Sequence, residues 1–190
     1  MIQKKYSDYK TFIFDCDGVL LNSNKIKTKA FKDTVLEFSE ESAQELAKYN
    51  KDNGGISRRD KFEYYLKNII YKYSNKHTNI DIDYLINKYS KIVKKELLKC
   101  EIAKDIELLG NKCKDKSVLV VSGSDQSELR YVFKKRGIEY LFPNGIFGSP
   151  DDKKSILKRE LEIKNIVMPA LFLGDSKYDY ESANLFNIDF

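Results

Sequence analysis

Histidine is almost missing from this chain. His77 stands alone among 190 residues, which rules out catalytic triads built on histidine and metal centres that need several. It lies in a polar stretch, SNKHTN, that reads as a loop. Cysteine is scarce too: Cys16, Cys100 and Cys113 are far apart and follow no metal-ligand spacing, so they read as buried thiols in a reducing compartment. No apolar run approaches the roughly 18 residues of a membrane span, and the opening MIQKKYSDYK has no apolar signal core. The expectation is a cytoplasmic protein with no membrane partner. Internal repeats, low-complexity tracts and proline-rich linkers are also lacking. Lysine and arginine number 34 against 29 aspartate and glutamate, for a formal charge of +5. That balance suits anionic substrates, but the basic residues are spread along helical patterns without interleaved aromatics, so nucleic acid is not an expected partner. Nothing in the residues sets an oligomeric state.

What is present is a core-forming chain, 42% hydrophobic. Four short apolar runs ending in small or acidic residues read as buried parallel strands: TFIFDCD from Thr11, SVLVVSGS from Ser117, GIFGS from Gly145 and ALFLGDS from Ala170. Helical spacing recurs between them, from Asp105 to Lys114, from Gln126 to Lys135 before Gly137, and from Asp152 to Ile163. Alternation of this kind predicts a doubly wound α/β core, Rossmann-like in architecture, with a parallel sheet and right-handed crossovers. More than 90 residues separate the first two strands. They read as helices over 26–38, 40–49, 58–73 and 82–98, broken at NKDNGG and SNKHTN. An inserted all-helical domain over 23–99 is expected, hinged near Asn22 to Asn24 and Cys100 to Ala103, with 1–22 and 100–190 forming the core. The closing FNIDF reads as the start of a fifth strand, short or continued further.

The chemistry collects at strand ends. Asp15 and Asp17 close the first strand two residues apart, so both carboxylates are expected to face one crevice, with Cys16 turned into the core. Asp175 and Asp179 follow the fourth strand. Carboxylates ~4 Å apart would repel by about 4 kcal/mol per pair at an effective dielectric near 20, so their convergence needs a cation. All-oxygen ligands select a hard ion, and Mg²⁺ is the usual choice beside phosphate. Ser122, Gly123 and Ser124 end the second strand just before a helix and suit phosphate oxygens. After the third strand, Lys153 or Lys154 offers a positive charge.

Taken in order, FDCDGVLLNS, VVSGS, the lysine of SPDDKKSIL and LFLGDSKYD resemble the four motifs of the haloacid dehalogenase (HAD) superfamily, over nearly the whole chain. The helical insertion after the first motif resembles the class 1 cap of the phosphoglycolate phosphatase and β-phosphoglucomutase branch. The resemblance implies Asp15 as nucleophile and Asp17 as acid, then base. It implies Mg²⁺ on Asp15, the Asp17 carbonyl and Asp175, with Asp179 in support, and Ser122 on the phosphoryl group. The spacing SPxxKxxIL favours Lys153, with Lys154 as the fallback. Asp17 favours phosphoryl chemistry over dehalogenation, and Asn22 departs from the Asp often found at that point of the hinge.

The cap segment NGGISRRDKF resembles a loop that dips into β-phosphoglucomutase-like sites and would put Arg58 on the substrate. Read locally, Ser57 is equally an N-cap with Asp60 in the first turn, leaving Arg58 and Arg59 toward water. With NSNKIKTKAF, this segment also resembles hydrolases of nucleotide-sugar and surface-polysaccharide pathways. The expected activity is therefore a Mg²⁺-dependent phosphatase acting on a small phosphorylated substrate, a sugar or polyol phosphate. A sugar-phosphate mutase and a non-catalytic HAD-like binding protein are the alternatives.

Overall fold

The computed structural model describes residues 5–73 and 79–190; the expected loop around His77 lies outside them. Four parallel strands form one sheet in the order β3-β2-β1-β4, with β1 at Thr11–Phe14, β2 at Ser117–Asp125, β3 at Ile146–Ser149 and β4 at Ala170–Leu173. Registers are direct: Ile13 lies opposite Leu119 on one side and Phe172 on the other.

Successive residues of a strand point to opposite faces, and here each face has its own core. Phe12, Phe14, Val118 and Val120 pack with Leu129, Val132 and Phe133 of α6 (Gln126–Lys135). Ile13, Leu119, Val121 and Phe172 pack with Ile156 and Leu157 of α7 (Lys153–Glu162) and Ala183 of α8 (Lys177–Leu185). Covering both faces is why the strands read as continuous apolar runs. Each fully buried Ile13 or Leu119 side chain contributes about 1.5–3 kcal/mol relative to exposure.

The insertion holds α1 (Asn24–Val35), α2 (Glu40–Asp52), α3 (Arg58–Tyr64) and α4 (Ile82–Leu97), with a π-helical turn over Tyr65–Ile69 continuing α3. Their centre is aromatic. Phe31 of α1 lies against Phe62 of α3 and Tyr89 of α4, with ring centroids 5.2 and 4.4 Å apart. The two chain crossings between insertion and sheet pair with each other: Leu21 bridges Ile102, and the Asn22 side-chain amide donates to Glu101 Oε2 at 3.0 Å. Asn22 thus ties the crossings together as a neutral donor. An aspartate there would face Glu101 with like charge.

At the far edge, Asp189 pairs with β4, its backbone N–H donating to Ala170 O and its carbonyl accepting from Phe172 N–H. The expected fifth strand is, within these residues, one bridge long. Cys16 and Cys100 are buried free thiols, while Cys113 is only half-buried. It caps the C-terminus of the short helix α5 (Leu108–Lys112) and packs only at the margin of the core, which corrects the expectation of three buried thiols.

Candidate active site

The carboxyl ends of β1, β2 and β4 open on one cavity of about 590 Å³, floored by the sheet and roofed by α1 to α3. Its volume falls within the range of small-molecule sites. Local sequence explains how the floor is built. Asp125 ends β2, Asp152 follows β3 and Ser176 follows β4, and each caps the next helix, accepting from the backbone N–H of Glu128, Ser155 and Asp179. The N-termini of α6, α7 and α8 are therefore fixed at the sheet's carboxyl edge, where their partial positive charge favours anions.

Asp15 is buried one residue past β1. Its Oδ1 accepts from Lys153 Nζ at 2.7 Å, and the same ammonium reaches Asp179. Lys153 is fully buried. Burial pushes the Asp15 carboxyl up to about 6, against the pull of Lys153 and with the push of Asp179 and Asp17. Burial lowers the Lys153 value, but Asp15 and Asp179 more than offset it, so the lysine is held charged. Lys154 stays out of this cluster, its ammonium 5.4 Å from the centre of the Tyr178 ring.

Asp179 also completes a reciprocal cap, its Oδ2 accepting from Ser176 N–H and Oγ at 3.1 and 2.7 Å. Asp175 is exposed and accepts from the Asn24 side chain at 2.8 Å. Ligand atoms of Asp15, Asp175 and Asp179 lie within 4.8 Å of one another. Lys153 is shared by two of these three carboxylates while Asp175 meets only the Asn24 amide, which leaves net negative charge in an all-oxygen set and fits a hard divalent cation. Gly18 makes room for this cluster: a Cβ on it would lie 2.1 Å from Asp175 Oδ2.

Asp17 borders the same cavity in a different bonding environment. It accepts from Ser23 Oγ at 2.5 Å, Ser124 Oγ at 2.8 Å and Lys27 Nζ at 2.5 Å. Burial alone would raise its carboxyl, but Lys27 and the two hydroxyls bring it down to about 2. Lys27 also donates to Ser124. One cap lysine therefore joins the first two motif segments.

Ser122 is buried, and its Oγ accepts from Ser124 N–H at 3.2 Å. The β2–β3 ladder shifts register between Val121 and Asp125, so Ser122–Ser124 sits at an irregularity of the strand, a common site for re-aimed backbone. Gly123 meets the roof. A Cβ there would lie 2.1 Å from the carbonyl oxygen of Gly55, so the Gly54-Gly55 turn seats directly on this loop.

Arg58 departs from the substrate-facing expectation. It borders the cavity, but its guanidinium forms two bonds with Glu128 of α6, at 2.5 and 3.2 Å, and a third with Ser90 Oγ at 2.7 Å, beside the Tyr89 ring. A buried carboxylate at the start of α6 attracts it away from the cavity centre. Ser57 does cap α3, through Asp60 N–H, and Arg59 pairs with Asp83 on the surface.

Lys27, Ser23 and Lys61 were missed from sequence. The signal was present for the lysines: both lie on the buried phase of their helices, Lys27 with Ala30, Phe31 and Thr34, Lys61 with Arg58 and Phe62. A lysine in an apolar stripe is out of place unless its charge is used.

The sequence model of the haloacid dehalogenase-like hydrolases matches residues 12–190. No curated protein matches the chain. Solved structures do. A predicted phosphoglycolate phosphatase from Haemophilus somnus superposes with a TM-score of 0.74 at 16% identity, over 97% of this chain and 84% of that one. A predicted phosphatase from Clostridium acetobutylicum gives 0.71 at 22%, over 95% and 82%. A haloacid dehalogenase-like family hydrolase from Streptococcus pneumoniae gives 0.67 at 20%, over 96% and 83%. At these identities the likeness is one of fold: a parallel α/β core with a helical cap. No helix among the described residues is long and apolar enough to cross a membrane.

Proposed function

The chain belongs to the haloacid dehalogenase-like hydrolase family, and from that premise we propose that it is a phosphatase hydrolysing a small phosphate monoester through a phosphorylated Asp15. The observation that carries this reading is the cavity floor, where Asp15 is held by Lys153 inside a carboxylate cluster while Asp17, two residues on, is bonded separately to Lys27.

In the first step an Asp15 oxygen bonds to phosphorus as the ester oxygen leaves. The leaving oxygen takes the proton of Asp17, whose O–H bond breaks as the ester oxygen departs. Asp17 is left ionised, the form that Lys27, Ser23 and Ser124 stabilise, and the proton it later takes from water restores it. In the second step ionised Asp17 removes a proton from water, the water oxygen bonds to phosphorus, and the aspartyl ester breaks to release inorganic phosphate. Ser122, Gly123 and Ser124 hold phosphoryl oxygens, and Lys153 keeps Asp15 charged and aimed. Asp15, Asp175 and Asp179, with the Asp17 carbonyl, are the groups that would hold Mg²⁺. When bound, that ion supplies neutralisation of charge on the phosphoryl oxygens. The helices within 23–99 act as the cap over this floor, with 1–22 and 100–190 as the core.

The test is phosphate release from a panel of sugar, polyol and short acid phosphates with Mg²⁺. Release that chelation abolishes and Mg²⁺ restores is expected. Isomerisation that needs a bisphosphate primer would make the protein a mutase, and full activity after exhaustive chelation would remove the metal from the mechanism.

A further inference from the structure

Four cationic side chains are buried among the described residues: Lys27, Arg58, Lys61 and Lys153. Three have carboxylate partners within 4.0 Å, namely Asp17, Glu128, and Asp15 with Asp179. Lys61 has none. It is 5% exposed and borders the cavity. Its single hydrogen bond goes to Asn50 Oδ1 at 2.8 Å, and Asn50 is in turn held through its amide to Thr28 Oγ1 at 2.9 Å. The ammonium has three donors, and two make no hydrogen bond among the described residues; the centre of the Phe31 ring lies 5.4 Å from it, and Asp17 and Asp15 act on it only from a distance. A buried charge normally has a counter-charge in contact, and no carboxylate among the described residues touches this one.

The position of Lys61 says where the missing anion comes from. It lies on α3 one turn after Arg58, on the same buried face. Its anchors Asn50 and Thr28 belong to α2 and α1, so the ammonium is mounted on the roof, while Lys153 and the acidic cluster belong to the floor. An ester bound with its phosphoryl group at Asp15 directs its leaving group toward the roof. We propose that Lys61 binds a second anionic group, a carboxylate or a second phosphate, on the leaving-group side of the substrate, and that this selects acidic phosphate esters over neutral ones. The inference rests on the phosphatase reading of the same cavity. Arg58, one of whose two sequence readings put it on the substrate, already serves Glu128; Lys61 is the buried cation left over. Burial, with Lys27 adding to it, brings the Lys61 ammonium down to about 8, as expected of a charge awaiting its partner. Lys25 and Lys51 are exposed at the same cavity and draw anions toward it.

The experiment compares matched esters on the Mg²⁺-loaded protein: phosphoglycerate against glycerol phosphate for the carboxylate, and propanediol bisphosphate against propanediol monophosphate for the phosphate. A charge-assisted hydrogen bond corresponds to about 10- to 150-fold. The acidic member of at least one pair should lead in kcat/KM by about that factor, and whichever pair shows it identifies the second group. Lys61→Gln should collapse the acidic-to-neutral ratio at least about tenfold, and Lys61→Arg should restore part of it. Lys61→Met should raise the thermal midpoint while abolishing the preference, because removing an uncompensated buried charge stabilises the fold; a merely structural lysine would lower it. Equal turnover of acidic and neutral esters by the wild type, or an equal fall for both in Lys61→Gln, overturns the proposal. Calorimetry on Asp15→Asn protein, with and without Lys61→Gln, separates this from the activity itself. If no ester is hydrolysed the phosphatase reading fails, yet tighter binding of the acidic member that is lost with Lys61→Gln still supports the Lys61 site. Equal binding of both members sinks it.

Discussion

Arg58→Ala is the substitution whose outcome the structure changes most. On the motif alone, truncating Arg58 should slow only the native substrate and spare a generic aryl phosphate. In the structure the guanidinium and the Glu128 carboxylate are 8% and 7% exposed and doubly bonded across the boundary between α3 and α6. Removing one partner of a buried pair costs about 3–5 kcal/mol, because the other charge is left without compensation. The stranded Glu128 charge disfavours the arrangement in which α3 lies on α6, by about 150-fold or more if the cost is fully expressed. Every ester that needs the closed cap should therefore lose kcat/KM, aryl phosphate included, by at least about tenfold. Glu128→Leu should do the same, since it strands the guanidinium. Arg58→Leu with Glu128→Leu should recover much of the loss, giving a coupling above about 1.5 kcal/mol in a double-mutant cycle. Arg59→Ala, whose partner Asp83 is exposed, is the control and should leave the kinetics unchanged. Steady-state kinetics on one acidic and one aryl ester decide the matter. If Arg58→Ala slowed the acidic ester alone and Glu128→Leu had no effect, Arg58 would leave Glu128 during turnover and the motif reading would return.

Asp15→Asn should eliminate turnover while the protein still folds, and activity above a few per cent of wild type would mean that another group attacks phosphorus. Lys153→Ala should abolish activity and destabilise by about 3–5 kcal/mol by stranding Asp15 and Asp179, whereas Lys154→Ala should change activity little; equal mild effects would remove Lys153 from the site. Gly123→Ala should reduce kcat/KM without unfolding the core, because its methyl would meet the Gly55 carbonyl and hold the cap off; unchanged kinetics would show that the turn can shift at no cost. The Lys61 ammonium, brought down to about 8 from its usual 10.5, gives a pH signature. Between these values the unfolded chain binds the extra proton, so this residue makes stability rise with pH across the window by up to about 3 kcal/mol. Lys61→Met should flatten that rise in denaturant titrations at successive pH, and an unaltered slope would mean that the ammonium is hydrated.

The strands were legible because each is covered on both faces, which writes an uninterrupted apolar run, and the crevice because Asp15, Ser122 and Asp175 fall at the ends of such runs and Lys153 opens the helix after another. The cap helices were legible from their spacing and breakers. What a one-dimensional pattern does not carry is pairing between distant elements. Arg58 could be read as facing substrate or as facing water, but its partner Glu128 lies 70 positions away in sequence, in the first turn of a helix whose acidic start has an adequate local explanation of its own.

The same limit hid the cap's contribution to the chemistry. Lys27 and Lys61 each looked like one more lysine among 34 basic residues, and only helical phase distinguished them, since both fall where neighbours three or four apart are buried. Phase says that a lysine is turned inward; it does not say what compensates its charge. The three-dimensional answer differs for the two. Lys27 meets Asp17 and so brings a cap residue to the group proposed to move the proton, whereas Lys61 meets a neutral amide and the face of Phe31 but no carboxylate among the described residues. A buried cation with a carboxylate partner is explained by the fold, and one without is explained by what the fold is made to receive.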